Sequence, residues 1–187
     1  MYCAMSVRSK GVPQDEVDRT DRCNGVPDAC ASLGCSSNQW GGCWQTWWRA
    51  NRQGVEALYL SMETATAIQE YQQVSTLLPP GTLASYQLAL GPVVDFTLGY
   101  SASEWEPIWE DFYCDWRELW FNQRIEPPSW VIGDLVIASG AKGILFTSGM
   151  AKGGTNLVIF NQMLSSQDKL EVFDPGKALP QTQASWS

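Results

Sequence analysis

Arg49-Ala50-Asn51-Arg52-Gln53-Gly54, followed at once by Ala57-Leu58-Tyr59-Leu60-Ser61, sets two arginines and a glycine directly ahead of a short apolar run. The apolar run predicts a strand over 57–60. Ser61 and Thr64 then offer helix N-caps, and Glu63 to Gln73 predicts a helix. Tyr59 therefore stands at a strand end and Glu70 inside the next helix. A guanidinium binds phosphate oxygens bidentately, so Arg49 with Arg52 makes a candidate anion clamp. An arginine, an aromatic ring and a carboxylate together suit a cationic sugar ring and its phosphate. Taken singly each is ordinary: arginine pairs are common on surfaces, a tyrosine packs, and a glutamate is solvated.

Downstream, Pro79-Pro80-Gly81-Thr82 predicts a turn. Tyr86–Leu90 and Val93–Leu98 predict two strands split by Gly91-Pro92. Ser103 to Asn122 predicts one helix with a capping box, Ser103 and Glu106. Pro107 falls in its first turn, where a missing N–H matters little. Trp105, Trp109, Trp116 and Trp120 share one face, which reads as core. Glu106, Glu110, Asp111 and Glu118 line the other, a solvated acidic face or a surface for a protein partner. Ser129–Ser139 is ambiguous between helix and strand. Lys142–Thr147 and Asn156–Phe160 predict two strands flanking Ser148-Gly149-Met150-Ala151-Lys152-Gly153-Gly154-Thr155. The glycines alone read as a hairpin connection. Ser148 and the exposed backbone N–H groups also suit phosphate or ribose. No GxxxxGK[ST] pattern is present.

Upstream, residues 1–8 read as a first strand and 9–43 as a long loop or arm holding Cys23, Cys30, Cys35 and Cys43. Their spacing contains no CxxC, so reduced thiols are expected ahead of a metal site. The N-terminus MYCAMSVRSKG carries no secretory signal, although export by a dedicated machine needs none. At 187 residues and 17% charged side chains the chain is one globular domain. Its division is expected as an arm over 1–44, a core over 45–166 and a polar tail over 167–187.

Charge and composition exclude whole classes. The net charge of −8 argues against nucleic acid as a partner, and no apolar run spans a membrane. No histidine is present, which excludes Ser-His-Asp and Cys-His catalysis and His-ligated metal. Residues 1–54 carry a net +1 and residues 55–187 a net −9, and no Lys or Arg falls between Arg52 and Arg117. An anionic ligand is therefore expected to enter beside Arg49.

Taken in order, these segments resemble the RES domain family, over roughly residues 45–160. Arg49–Gly54 is similar to its Arg-aromatic-Asn-Pro-x-Gly segment, with Ala50 at the aromatic and Arg52 at the proline. Ala57–Ser61 is similar to its "ALYLS" strand, and Ala65–Glu70 to the following helix. Gly133-Asp134, Gly143–Ser148 and Gly153–Phe160 are similar to its C-terminal signature.

The resemblance implies an α+β fold like the ADP-ribosyltransferase toxins, with split sheets and peripheral helices, and makes 129–139 a helix. It implies NAD as substrate, with no metal. It implies a bacterial toxin acting in the cytoplasm, of its own cell or of a target cell, and held in check by a cognate antitoxin or immunity protein that blocks the NAD cleft. It implies cleavage of the nicotinamide–ribose bond by a glycohydrolase or phosphorylase. A protein ADP-ribosyltransferase and a non-enzymatic interaction module stand as alternatives. In this reading Glu70 stabilises the cation, Arg49 holds diphosphate with Arg8 or Arg52, and Tyr59 stacks on nicotinamide. Asn51, Ser148 and Asn156 complete the binding set. Arg19 and Arg22 compete with Arg8 for its place.

Overall fold

The computed structural model describes residues 30–33, by backbone course alone, together with 49–73 and 83–176. Among the described residues, seven strands form one hydrogen-bonded sheet: β1 Cys30–Leu33, β2 Ala57–Ser61, β3 Leu83–Ala89, β4 Val94–Phe96, β5 Gly143–Thr147, β6 Thr155–Phe160 and β7 Lys169–Val172. Their order across the sheet is β4-β5-β6-β2-β1-β3-β7. The left half is continuous, because β2 pairs with β6 along its whole length, from Ala57 with Phe160 to Ser61 with Asn156. The right half is β1-β3-β7. A single register pair, Ala31 with Ser61, joins the halves. The arrangement is the split sheet that the family implies, with the halves hydrogen-bonded edge to edge rather than stacked as separate layers.

Side chains alternate across a strand, so the pairing sorts them by face. One face carries Ala57, Val94, Phe96, Ile144, Phe146, Val158 and Phe160, the larger core cluster. The other carries Leu58, Leu60, Tyr86, Leu88, Leu157 and Ile159. Strands β2 and β6 bury both faces, which explains their near-continuous apolar sequence.

Among the described residues, two α-helices flank the sheet. Helix α1 spans Thr64–Gln72, capped at Glu63 rather than by Ser61 or Thr64. Helix α2 spans Pro128–Ala138 and buries Ile132 and Val136 in the larger cluster. Its β-branched composition is overridden by tertiary packing, and Pro127-Pro128 preorganises its first turn.

Three elements depart from expectation. The stretch 103–122 is not one helix. A 3-10 turn covers Pro107–Asp111, and a wide helical turn covers Glu118–Gln123. Asp115 causes the restart: its side chain accepts the Glu118 N–H at 3.0 Å, a new N-terminal cap in mid-sequence. The break sends the tryptophans to two destinations. Trp105 and Trp109 pack on Phe96, with ring centroids 5.1 and 4.9 Å away. Trp116 and Trp120 meet Trp130 of α2. The Cys-rich arm, expected as loop, contributes β1. The expected tail begins with β7, the outermost strand, paired with β3. The possible first strand at 1–8 lies outside the described residues.

Candidate active site

At its polar end, the first face of the sheet passes from Tyr59 and Val158 to Ser61 and Asn156. The Ser61 hydroxyl donates to Asn156 Oδ1 at 2.8 Å, in a buried pair. That bond fixes the Asn156 amide so that its Nδ2 donates to Glu70 Oε1 at 2.6 Å. The Ser148 hydroxyl donates to the same oxygen at 2.7 Å. Glu70, Ser148 and Asn156, distant in sequence, thus meet. Glu70 Oε2 accepts no hydrogen bond among the described residues.

The glycine-rich stretch 148–154 is the β5–β6 hairpin connection. The Ser148 N–H donates to the Gly154 carbonyl, and Gly153 takes a positive φ of 79°. Ser148 Oγ accepts from the Met150 and Ala151 N–H groups, at 3.1 and 2.8 Å, while donating to Glu70. The base of α1 is tied to the same strand. Glu63 Oε2 accepts from Thr66 Oγ1 and from the Thr155 N–H.

The Arg49–Gly54 segment folds back on β2 through Tyr59. The phenol oxygen accepts from the Ala50 N–H and donates to Asn51 Oδ1, both at 2.9 Å. Buried Asn51 donates in turn to the Val55 carbonyl at 2.7 Å. Burial pushes the Tyr59 phenol well above its ordinary range, against the Ala50 hydrogen bond and the Arg49 charge. Its ring packs against the larger core cluster. In place of the expected stacking platform, Tyr59 is the post on which the arginine loop is folded.

The arginines divide. Arg49 Nη1 donates to the Cys114 carbonyl at 3.1 Å, and its guanidinium stands 5.9 Å from the Tyr113 ring centre. The Tyr113 hydroxyl is 2.7 Å from Thr147 Oγ1, next to Ser148. A chain of contacts therefore runs from Arg49 through Tyr113 and Thr147 to Ser148 and Glu70. Arg52, expected to bind substrate, is held in ion pairs instead. It pairs with Glu126 at 2.8 Å and with Asp134 of α2. Two carboxylates outweigh one guanidinium, so this group has no net positive charge to offer an anion. Arg8, Arg19 and Arg22 lie outside the described residues.

Sequence reasoning passed over Tyr113, Thr147 and Arg117. Their elements were assigned to a continuous core helix and to a strand, where such residues read as surface. One signal was available: Arg117 is the first cation after Arg52. The Arg117 charge is disfavoured first by partial burial and then by the nearby Arg49 charge, with Asp115 opposing.

The model of the RES domain matches residues 37–180. Among solved structures, a chain of the M. tuberculosis MbcT–MbcA toxin–antitoxin complex superposes with a TM-score of 0.50. Its sequence is 16% identical, and the match covers 78% of this chain and 82% of that one. No curated protein has a sequence that matches. Among the described residues, no helix is long and apolar enough to cross a membrane.

Proposed function

Because the chain belongs to the RES domain family, we propose that it cleaves the nicotinamide–ribose bond of NAD as the toxic member of a toxin–antitoxin pair. The observation that carries this reading is Glu70, whose Oε1 is held by Ser148 and Asn156 while Oε2 stays open.

The chemistry needs little more. Nicotinamide in NAD is a cationic ring bonded to the ribose anomeric carbon. When that bond breaks, its electron pair goes to the ring nitrogen and nicotinamide leaves neutral. No proton donor is required, which suits a site without histidine. Positive charge passes to the ribose as an oxocarbenium-like state. A fixed carboxylate beside that carbon stabilises the charge as it develops. Ser148 and Asn156 fix the Glu70 rotamer, so no reorganisation is needed at the moment of reaction. Arg49 takes the diphosphate. Water attacking the ribose cation gives ADP-ribose and releases a proton; phosphate gives ADP-ribose-1″-phosphate instead.

The antitoxin half of the reading rests on the toxin–antitoxin complex among the structural relatives and on self-preservation. A cell holding an unrestrained NAD-consuming enzyme loses its own NAD in the cytoplasm. A partner that covers Arg49 and the Ser148 loop prevents that.

The test is NAD consumption by purified full-length protein, with and without phosphate, products resolved by mass. Nicotinamide with ADP-ribose, or with its 1″-phosphate when phosphate is present, is the expected result. Glu70→Gln, shown folded by circular dichroism, is expected to abolish it. A folded Glu70→Gln protein that still consumes NAD overturns the assignment of Glu70. No consumption by the native chain overturns free NAD cleavage. ADP-ribose appearing on protein only after lysate is added points to the transferase.

A further inference from the structure

A dinucleotide's diphosphate carries two negative charges, and one arginine meets only half of them. The sequence offers Arg8 or Arg52 as the second cation, but Arg8 lies outside the described residues and Glu126 and Asp134 neutralise Arg52. The Arg49 side of the loop has a different neighbour. Arg49 is hydrogen-bonded to the Cys114 carbonyl, and Arg117 follows three residues later in the same irregular turn. Asp115 caps that turn from within it, accepting the Glu118 N–H. The Arg117 guanidinium lies 4.5 Å from the Trp116 ring centre, and Trp116 is itself buried against Trp130. The cation is thus laid on a fixed aromatic plate rather than left to roam in solvent. Beside it, Tyr113 is 41% exposed and ties the turn to Thr147, adjoining the Ser148 that meets Glu70.

We propose that Arg117 is the second cation of the anion clamp and stands with Arg49 to grip the diphosphate of the substrate. The clamp lies between the loop at 49–54 and the turn at 112–117, on the side linked through Tyr113 and Thr147 to Glu70. The Arg117 charge is disfavoured first by partial burial and then by the nearby charge of Arg49 on the neighbouring loop, with Asp115 opposing. An anion bound between the two arginines offsets their mutual repulsion. This assignment rests on the NAD reading above and extends it to the residue that selects for a diphosphate.

The probe is ADP-ribose, which carries the diphosphate and has no bond left to cleave. Its affinity is measured by calorimetry for the full-length chain and for Arg117→Met and Arg117→Lys. Methionine keeps an apolar stem over Trp116 and removes the charge; lysine keeps both. The expected result is a loss of about tenfold or more for Arg117→Met, a smaller loss for Arg117→Lys, and melting temperatures close to native. The native affinity is expected to weaken with salt, and Arg117→Met to flatten that dependence. Native affinity in Arg117→Met overturns the proposal, as do equal losses in both variants, which would mark a packing role. Failure of the native chain to bind ADP-ribose removes the NAD reading and this proposal with it. That outcome is read on the native chain alone and is not confused with an effect of the variants.

Discussion

The Ser148 hydroxyl donates to Glu70 Oε1 at 2.7 Å across 78 residues of chain, while the same oxygen atom accepts two backbone N–H groups of its own loop. One hydroxyl therefore sets both the shape of the β5–β6 connection and the orientation of the carboxylate. Ser148→Ala is expected to lower NAD turnover about 10- to 100-fold, the range for losing one preorganising donor at a charged site. Stability is expected to fall by about 1–2 kcal/mol, because the freed Met150 N–H is exposed to water while the Ala151 N–H is partly buried. Steady-state kinetics beside urea denaturation separate the two effects. A stability loss with native turnover would leave Ser148 as a loop residue only.

Tyr59 gives a prediction in two parts. Tyr59→Phe removes the acceptor of the Ala50 N–H and the donor to Asn51. Leaving those partners unsatisfied in a buried loop is expected to cost about 1–3 kcal/mol, seen as a lower denaturation midpoint. The second part is alkaline. The folded phenol ionises well above its ordinary value of 10.0. Its contribution to stability is therefore fully present below pH 10. It is lost as pH rises above that value, because the unfolded chain releases the proton first. Phenylalanine has no such proton, so the variant is expected to lose stability less steeply above pH 10 than the native chain. Equal slopes would mean that the phenol is not held neutral.

What the sequence disclosed and what it hid follow one physical division. Strands β2, β5 and β6 and helix α1 were legible because their apolar periodicity and flanking glycines are local signals. Glu70, Ser148 and Asn156 were legible because the ordered motifs bring them into one family pattern. The irregular turn at 107–123 was not legible. Its tryptophans fall at helical spacing, and only the tertiary choice between Phe96 and Trp130 breaks the helix at Asp115. The ion pairs of Arg52 were hidden for a similar reason: its carboxylate partners at 126 and 134 are far along the chain. Strands β1 and β7 were missed because both are short and lie in polar surroundings, where pairing rather than propensity makes them strands.

Gly133 links α2 to the arginine loop. A Cβ at this position would overlap the Ala50 carbonyl oxygen, which is backbone and cannot swing aside. Gly133→Ala is therefore expected to destabilise the fold by about 1–3 kcal/mol and to displace the segment carrying Arg49. Gly149 has open space at the same position and no positive φ, so Gly149→Ala is expected to melt close to native. Thermal denaturation of the pair checks the contrast. Equal behaviour would show that α2 can move away without cost.

The division of the arginines gives the sharpest contrast. Arg49→Gln removes the cation beside Tyr113 and the hydrogen bond to the Cys114 carbonyl, and is expected to raise the KM for NAD about tenfold or more. Arg52→Gln removes a cation already matched by two carboxylates. With side chains 38–48% exposed at these pairs, the loss in stability is expected to be about 1 kcal/mol or less and to shrink further with added salt. The KM of Arg52→Gln is expected to stay within about twofold of native, the change left when a group makes no contact with the ligand. Kinetics at two ionic strengths decide the matter. A KM raised equally by both substitutions would return Arg52 to the clamp and require its ion pairs to open when substrate binds. A KM raised by Arg49→Gln alone assigns the anion to the Cys114 side of the loop.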